Sequence, residues 1–205
     1  MKENIKEIIK KKKKISDFAS AYFNRLSNIF NNVNLKKIDN LEIILRKARL
    51  NKRNIFVFGN GGSAATASTM ANDLGFDILK KTSTKTPFKF FALTDNTPVI
   101  TAISNDTGYE NVLINQLKIH FNKKDIVILI SASGNSKNLL KASKWIKENS
   151  GYIFSFLGFD GGKLKNISDD YILVKTEKDE YGPVEDIHLI INHILAHWFQ
   201  FNLKK

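Results

Sequence analysis

Apolar side chains at Ile8, Ile9, Ile15, Phe18, Ala19, Tyr22, Phe23, Leu26 and Phe30 recur at intervals that keep them on one helical face, which predicts an amphipathic helix over residues 5–30. A second helix is predicted over 38–50. The pattern then changes. Runs at 55–58, 88–93, 126–130, 152–157 and 171–174 are short, and several are apolar at every position, as strands are in a parallel sheet covered on both faces. Helices are expected between them at 64–74, 98–104, 111–121 and 135–148, and the chain closes on a long apolar stripe from 184 to 203. Strand and helix in alternation imply an α/β fold, a three-layer sandwich around a five-stranded parallel sheet with right-handed crossovers. No internal repeat or long linker interrupts the pattern, so one domain is expected over 1–205, with N-terminal helices in 1–52 and a core in 53–205.

Composition adds limits. With 205 residues, 42% of them hydrophobic, the chain can bury a substantial core. The absence of cysteine excludes disulfides and thiolate metal sites and suits a reducing cytoplasm. No run has the length of a membrane span or the form of a signal peptide, so a cytoplasmic protein without a membrane partner is expected. The net charge of +12 is spread over many lysines, including the run from Lys10 to Lys14, which is read as a solvated helix face. Arginines are few, and neither zinc-finger spacing nor an aromatic RNA-binding signature occurs. Nucleic acid is not the expected partner.

Two strand ends carry candidate chemistry. After the run at 55–58 the chain reads "GNGGSA", so that Asn60, Gly61, Gly62 and Ser63 lead from a strand into a helix. Glycines permit close approach of a ligand, and a helix start offers unpaired N–H groups. The stretch lacks the Gly-Lys-Ser/Thr of a Walker loop and the spacing of a dinucleotide fingerprint. After 126–130 the chain reads "SASGNS", Ser131, Ala132, Ser133 and Ser136 among its residues, again before a helix. Two loops of this kind at the carboxyl edge of one sheet predict an anion site, with hydroxyls and backbone N–H groups around one phosphate.

These loops, "GNGGSA" and "ISASGNS", resemble the sugar isomerase (SIS) domain family, and the likeness extends through "AISND", "GFDGGKL" and "VEDIHLIINHIL". The resemblance implies a flavodoxin-like fold that binds a phosphosugar, and its nearest pattern is that of the phosphoheptose isomerases, which convert sedoheptulose 7-phosphate to a heptose phosphate for bacterial surface polysaccharide such as lipopolysaccharide or capsule. In those enzymes an acid/base pair moves the carbonyl through an enediol, and several members hold zinc. By position the family's histidine and glutamate on the helix after the glycine loop fall on Thr69 and Asp73; its glutamine and histidine on the last helix fall on Glu185 and His193. An arginine of the enzymes has Asp77 nearby here. The resemblance therefore implies Asp73 and His193 as the catalytic pair, with Glu185 orienting them, ligating a metal or serving as the base. Asp73, Glu185 and His193 offer an O,O,N set for a divalent metal such as zinc; proton transfer with no metal is the other reading. Asp106 either orients the sugar or caps the segment after it, and Asp95 reads as a turn residue. His188 and His197 are read as hydrogen-bonded packing residues, Trp145 and Trp198 as core or interface.

Family members that bind partners, including one associated with the replication initiator, or that sense phosphosugars as regulators, form the competing class; an isomerase or epimerase of another sugar phosphate is a third. A carboxylate and an imidazole suit the transfer of an α proton and the shuttling of protons between oxygens. The resemblance also implies a homotetramer or homodimer, and the apolar first and last helices agree with that.

Overall fold

The computed structural model describes residues 4–203; positions 1–3 and 204–205 of the expected domain lie outside them. In chain order the elements are α1 (Ile5–Lys10), α2 (Ile15–Phe30), α3 (Leu35–Leu50), β1 (Asn54–Gly59), α4 (Gly62–Ala71), α5 (Ile78–Thr82), β2 (Lys89–Ala92), α6 (Thr97–Thr107), α7 (Val112–His120), β3 (Ile126–Ser131), α8 (Lys137–Glu148), β4 (Tyr152–Gly158), α9 (Leu164–Ile167), β5 (Asp170–Val174) and α10 (Tyr181–Asn202). The five strands form a parallel sheet in the order β2-β1-β3-β4-β5. This is the flavodoxin-like order, whose direction reverses between β1 and β3.

Alternate strand residues enter opposite faces. Ile55, Val57, Ile128, Ile130, Phe154 and Phe156 join a core with apolar residues of α2, α3, α4 and α10. Phe56, Phe58, Val127, Leu129, Ile153 and Leu157 join another with α7 and α8. Because both faces are covered, β3 is buried at all six positions, which is why its sequence shows no polar alternation.

The N-terminal region departs from the expected single helix. α1 stops at Lys10 and α2 starts at Ile15. Five consecutive lysines would stack like charges one turn apart if the helix continued, and such pairs oppose helix formation. The run is solvated as expected, but most of it is a connection and not a helix face. What fastens this region is a buried pair: Arg25 on α2 donates through Nη2 to Glu180 Oε2 at 2.7 Å, with 5% and 3% of the two side chains exposed. Glu180 also accepts from the backbone N–H groups of Ile5 and Glu177.

His188 is the packing residue that its apolar helix implied. It is fully buried, edge-on to Phe156, with Nε2 3.2 Å from the Leu157 carbonyl. Burial pushes its pKa down to about 4, against a smaller upward pull from that carbonyl. In the unfolded chain the imidazole titrates near 6.5, so between those values the unfolded state alone binds the proton. Its contribution is therefore complete above pH 6.5 and is lost as pH falls toward 4, by about 3 kcal/mol. Urea midpoints across this range should fall less steeply in His188→Leu than in the parent protein; equal slopes would refute the assignment.

Candidate active site

The loops after β1 and β3 flank the point where strand order reverses, and the helices that follow them, α4 and α8, begin there. Their N-terminal N–H groups and dipoles favour an anion at this spot. Asn60, Ser63, Ser131, Ala132, Ser133 and Ser136 line a cavity of about 120 Å³, together with Tyr181 and Glu185 of α10. No lysine or arginine is among the lining residues, so an anion bound here would meet hydroxyls, amides and helix starts. The positive net charge of the chain lies elsewhere.

Local bonds set the shape of the cradle. Ser131 Oγ accepts from Gly134 N at 3.0 Å, and Ser133 Oγ from Asn135 N at 3.3 Å. Gly134 has φ +61°, and a Cβ there would fall 2.0 Å from the Gly161 carbonyl oxygen. Only glycine allows the second loop to pack on the turn after β4. Asn60 and the buried Asn138 exchange amide hydrogen bonds of 3.1 and 2.9 Å, tying the first loop to α8, and the Tyr109 hydroxyl donates to Asn60 Oδ1. Ser136 caps α8 by backbone position, with no side-chain cap bond.

Glu185 lies over the first turn of α4. A Cβ on Gly62 would sit 2.3 Å from Glu185 Oε2, so glycine at this position is what admits the carboxyl group. Burial, reinforced by the neighbouring Asp186 carboxylate, raises the Glu185 pKa. A carboxyl group that holds its proton more readily is better tolerated beside a bound anion and can donate a hydrogen bond to it. Asp186 in turn accepts from the Tyr22 hydroxyl of α2 at 2.5 Å.

Further along α10 and α4 lies a second constellation. After Ala71 the helix widens into a π-helical turn over Asn72–Asp77 before resuming as α5, an irregularity frequent at functional sites. Asp73 stands in that turn. Its Oδ2 accepts from Asn192 Nδ2 at 2.8 Å and lies 3.7 Å from His193 Nε2; its Oδ1 accepts from Asn72 Nδ2. His193 is half exposed and opens onto an apolar groove between α3 and α10, lined by Ile38, Ile43, Ile190, Ile194, Trp198 and Phe201 among others.

Of the residues singled out from the sequence, the two loops and Glu185 meet at one cavity, and Asp73 meets His193. Asp106 is exposed on α6, bonded by Asn105, and is not among the residues lining that cavity. Asp95 is an exposed turn residue that accepts from the Ser68 hydroxyl. His197 is not a packing residue but is exposed on the apolar groove, as is Trp198, while Trp145 packs partly buried against Phe121. Sequence reasoning passed over Tyr181, Asn138 and Asn192. Asn138 had a legible signal, two residues after "SASGNS"; Asn192 had none beyond being a polar residue in an apolar stripe.

A metal does not fit these side chains as a three-ligand set. Among the described residues no group of three or more His, Asp or Glu comes together to hold one. The Thr69 hydroxyl turns back to the Ala65 carbonyl, and Glu185 precedes His193 by eight helical residues, about 12 Å of rise. Asp73 and His193 remain as a carboxylate–imidazole pair suited to proton transfer.

The SIS domain family profile matches residues 20–157. The probable phosphoheptose isomerase of Thermoplasma acidophilum is 34% identical over 165 residues, 80% of this chain and 88% of that protein. The phosphoheptose isomerase of Helicobacter pylori strain P12 is 38% identical over 147 residues, 71% and 73% of the two chains. Among solved structures, phosphoheptose isomerase GmhA from Neisseria gonorrhoeae superposes with a TM-score of 0.79 at 24% identity, covering 91% of this chain and 98% of that one; at that identity the likeness is one of fold.

Proposed function

The chain belongs to the SIS domain family, and from that premise we propose that it is a sugar-phosphate isomerase that interconverts sedoheptulose 7-phosphate and a heptose 7-phosphate, a step toward the heptose of surface polysaccharide. The observation that carries the reading is the pairing of a cation-free candidate cradle at the strand-order reversal with a carboxylate–imidazole pair on α10 and the π-helical turn that continues α4. The curated relatives named phosphoheptose isomerase support the substrate. A partner-binding protein with no chemistry is not favoured, because such a protein has no use for the Asp73–His193 contact.

In this mechanism the phosphate sits among Ser63, Ser131, Ser133 and Ser136, and the carbon chain runs toward the pair. Ser63 and Asp73 are ten residues apart, about 15 Å along the helix, and side chains lean toward the helix N-terminus. Because α4 and α10 both begin at the cradle, Asp73 and His193 lean back toward it. Asp73 removes the proton from C1 of the ketose, His193 protonates O2 and accepts the proton of O1, and Asp73 returns its proton to C2, leaving the aldose. Glu185 contacts the phosphate end. No step is assigned to a metal. Incubation in deuterium oxide with sedoheptulose 7-phosphate should give aldose with deuterium on the carbon next to the carbonyl. Neither turnover nor wash-in with heptose, hexose or pentose phosphates, with or without zinc, would remove the isomerase reading.

The same reading includes a homo-oligomer, a dimer or tetramer. The groove beside His193 exposes Trp198 by 55% and Phe201 by 69%, an apolar patch of the kind that marks an interface, and a second copy there would close the open side of the catalytic pair. Trp198→Glu should lower the mass measured by light scattering and reduce turnover together. A parent protein that is monomeric at micromolar concentration would end this part of the proposal.

A further inference from the structure

We infer that Asn192 is a positioning residue for the reaction, holding the Asp73 carboxylate in the orientation from which it takes the substrate proton; the inference rests on Asp73 being the base. Asn192 lies on the long apolar stripe of α10, is 0% exposed, and sends its one side-chain hydrogen bond among the described residues, Nδ2 to Asp73 Oδ2 at 2.8 Å, across to the π-helical turn. Its Oδ1 is buried with no partner among the described residues. The amide nitrogen is the donor of the contact and the carboxyl oxygen its acceptor, so the amide faces Asp73 through its nitrogen.

This arrangement is a poor way to stabilise a fold. A buried amide with one unsatisfied oxygen is disfavoured relative to an apolar side chain of the same volume, such as leucine. Of its neighbours on α10, Ile191, Leu195 and Ala196 are apolar and buried, while His188 one turn before is a buried imidazole whose Nδ1 also lacks a partner among the described residues, so a leucine at 192 would suit the stripe without removing a bond to it. What the amide accomplishes is directional. Asp73 has a short side chain on a widened turn, and Oδ1 is held by Asn72 from its own helix. With Asn192 gripping Oδ2 from α10, the carboxylate plane is set between two elements, and the oxygen shared with His193 faces the imidazole at 3.7 Å. Polar groups that break a local rule of packing are expected where function depends on them.

A structural role and a positioning role predict opposite results for Asn192→Leu. The inference expects a melting temperature equal to or above that of the parent, KM little changed, and kcat lower by about ten- to a hundredfold, the range for loss of a hydrogen bond to a charged group. Asn192→Gln, which keeps the amide on a longer stem, should recover part of kcat. Parent-like turnover in Asn192→Leu, or a loss of kcat that only follows a loss of folded protein, would overturn it. The contact itself has a readout free of catalysis: the Asn192 side-chain amide resonances, identified by their absence in Asn192→Leu, should shift in Asp73→Asn. If they shift while the parent protein turns over no sugar phosphate, the isomerase reading fails and the hydrogen bond stands; if they do not shift, the inference fails whatever the activity.

Discussion

Asp73→Asn and His193→Ala are each expected to lower kcat by about a hundred- to ten-thousand-fold, the usual contribution of a positioned acid or base, while binding sugar phosphate nearly as tightly as the parent. Asparagine keeps the shape of Asp73 but has one acceptor oxygen where the carboxylate has two, so one of the contacts from Asn192 and Asn72 must change, and it cannot take a proton from carbon. Alanine at 193 leaves the half-exposed site intact in packing and removes the shuttle between O1 and O2. Binding is expected to persist because the phosphate is proposed to contact other residues, the serines of the two loops that line the cradle. The cradle should show the converse: Ser133→Ala weakens binding by about 1.5–3 kcal/mol, tenfold or more, because a hydrogen bond to a charged group is lost. The double variant Asp73→Asn/His193→Ala should be little worse than either single one, since groups acting in one proton-transfer step are not additive. Single-turnover rates and ligand titration on the same preparations separate the two effects. Retention of turnover in Asp73→Asn would move the base role to Glu185, whose carboxyl group lines the cradle and whose pKa burial has raised.

The largest effect on stability is expected from Arg25→Ala. The substitution leaves Glu180, 3% exposed, without its guanidinium partner, and removing one member of a buried pair typically costs about 3–5 kcal/mol. For a chain of this size each kcal/mol lowers Tm by about 2–4 °C, so a fall of about 6–20 °C is expected. Glu180 keeps the backbone N–H bonds from Ile5 and Glu177, but neutral donors do not replace the opposite charge. The double variant Arg25→Met/Glu180→Met should recover most of the loss, as apolar replacements of buried pairs often do. Thermal melts of the three proteins decide the matter; an Arg25→Ala protein within 2 °C of the parent would show that the pair contributes nothing.

The order of strands and helices could be read from the sequence because burial leaves a local record. Parallel strands covered on both faces, such as Ile126–Ser131, must be apolar at consecutive positions, and glycines and serines at their ends mark where the backbone turns into a helix. Lys10–Lys14 misled for a related reason: apolar spacing on both sides suggested one helix, while repulsion along the lysines acts between positions that the periodicity does not weigh. Asp73, His193 and the serines were identified by position in motifs, each within its own segment. Which of them meet was settled only by tertiary structure. The 2-1-3-4-5 strand order brings two loops about seventy residues apart to one cavity; α10 runs beside α4 and the turn after it, so that Glu185 covers Gly62 while Asn192 and His193 reach Asp73. The π-helical turn that presents Asp73, and the buried amide that holds it, have no periodic signature. Hydrophobic pattern is a one-dimensional consequence of being inside or outside, whereas a hydrogen bond between residues 73 and 192 depends on how two helices are rotated against each other, and packing alone sets that.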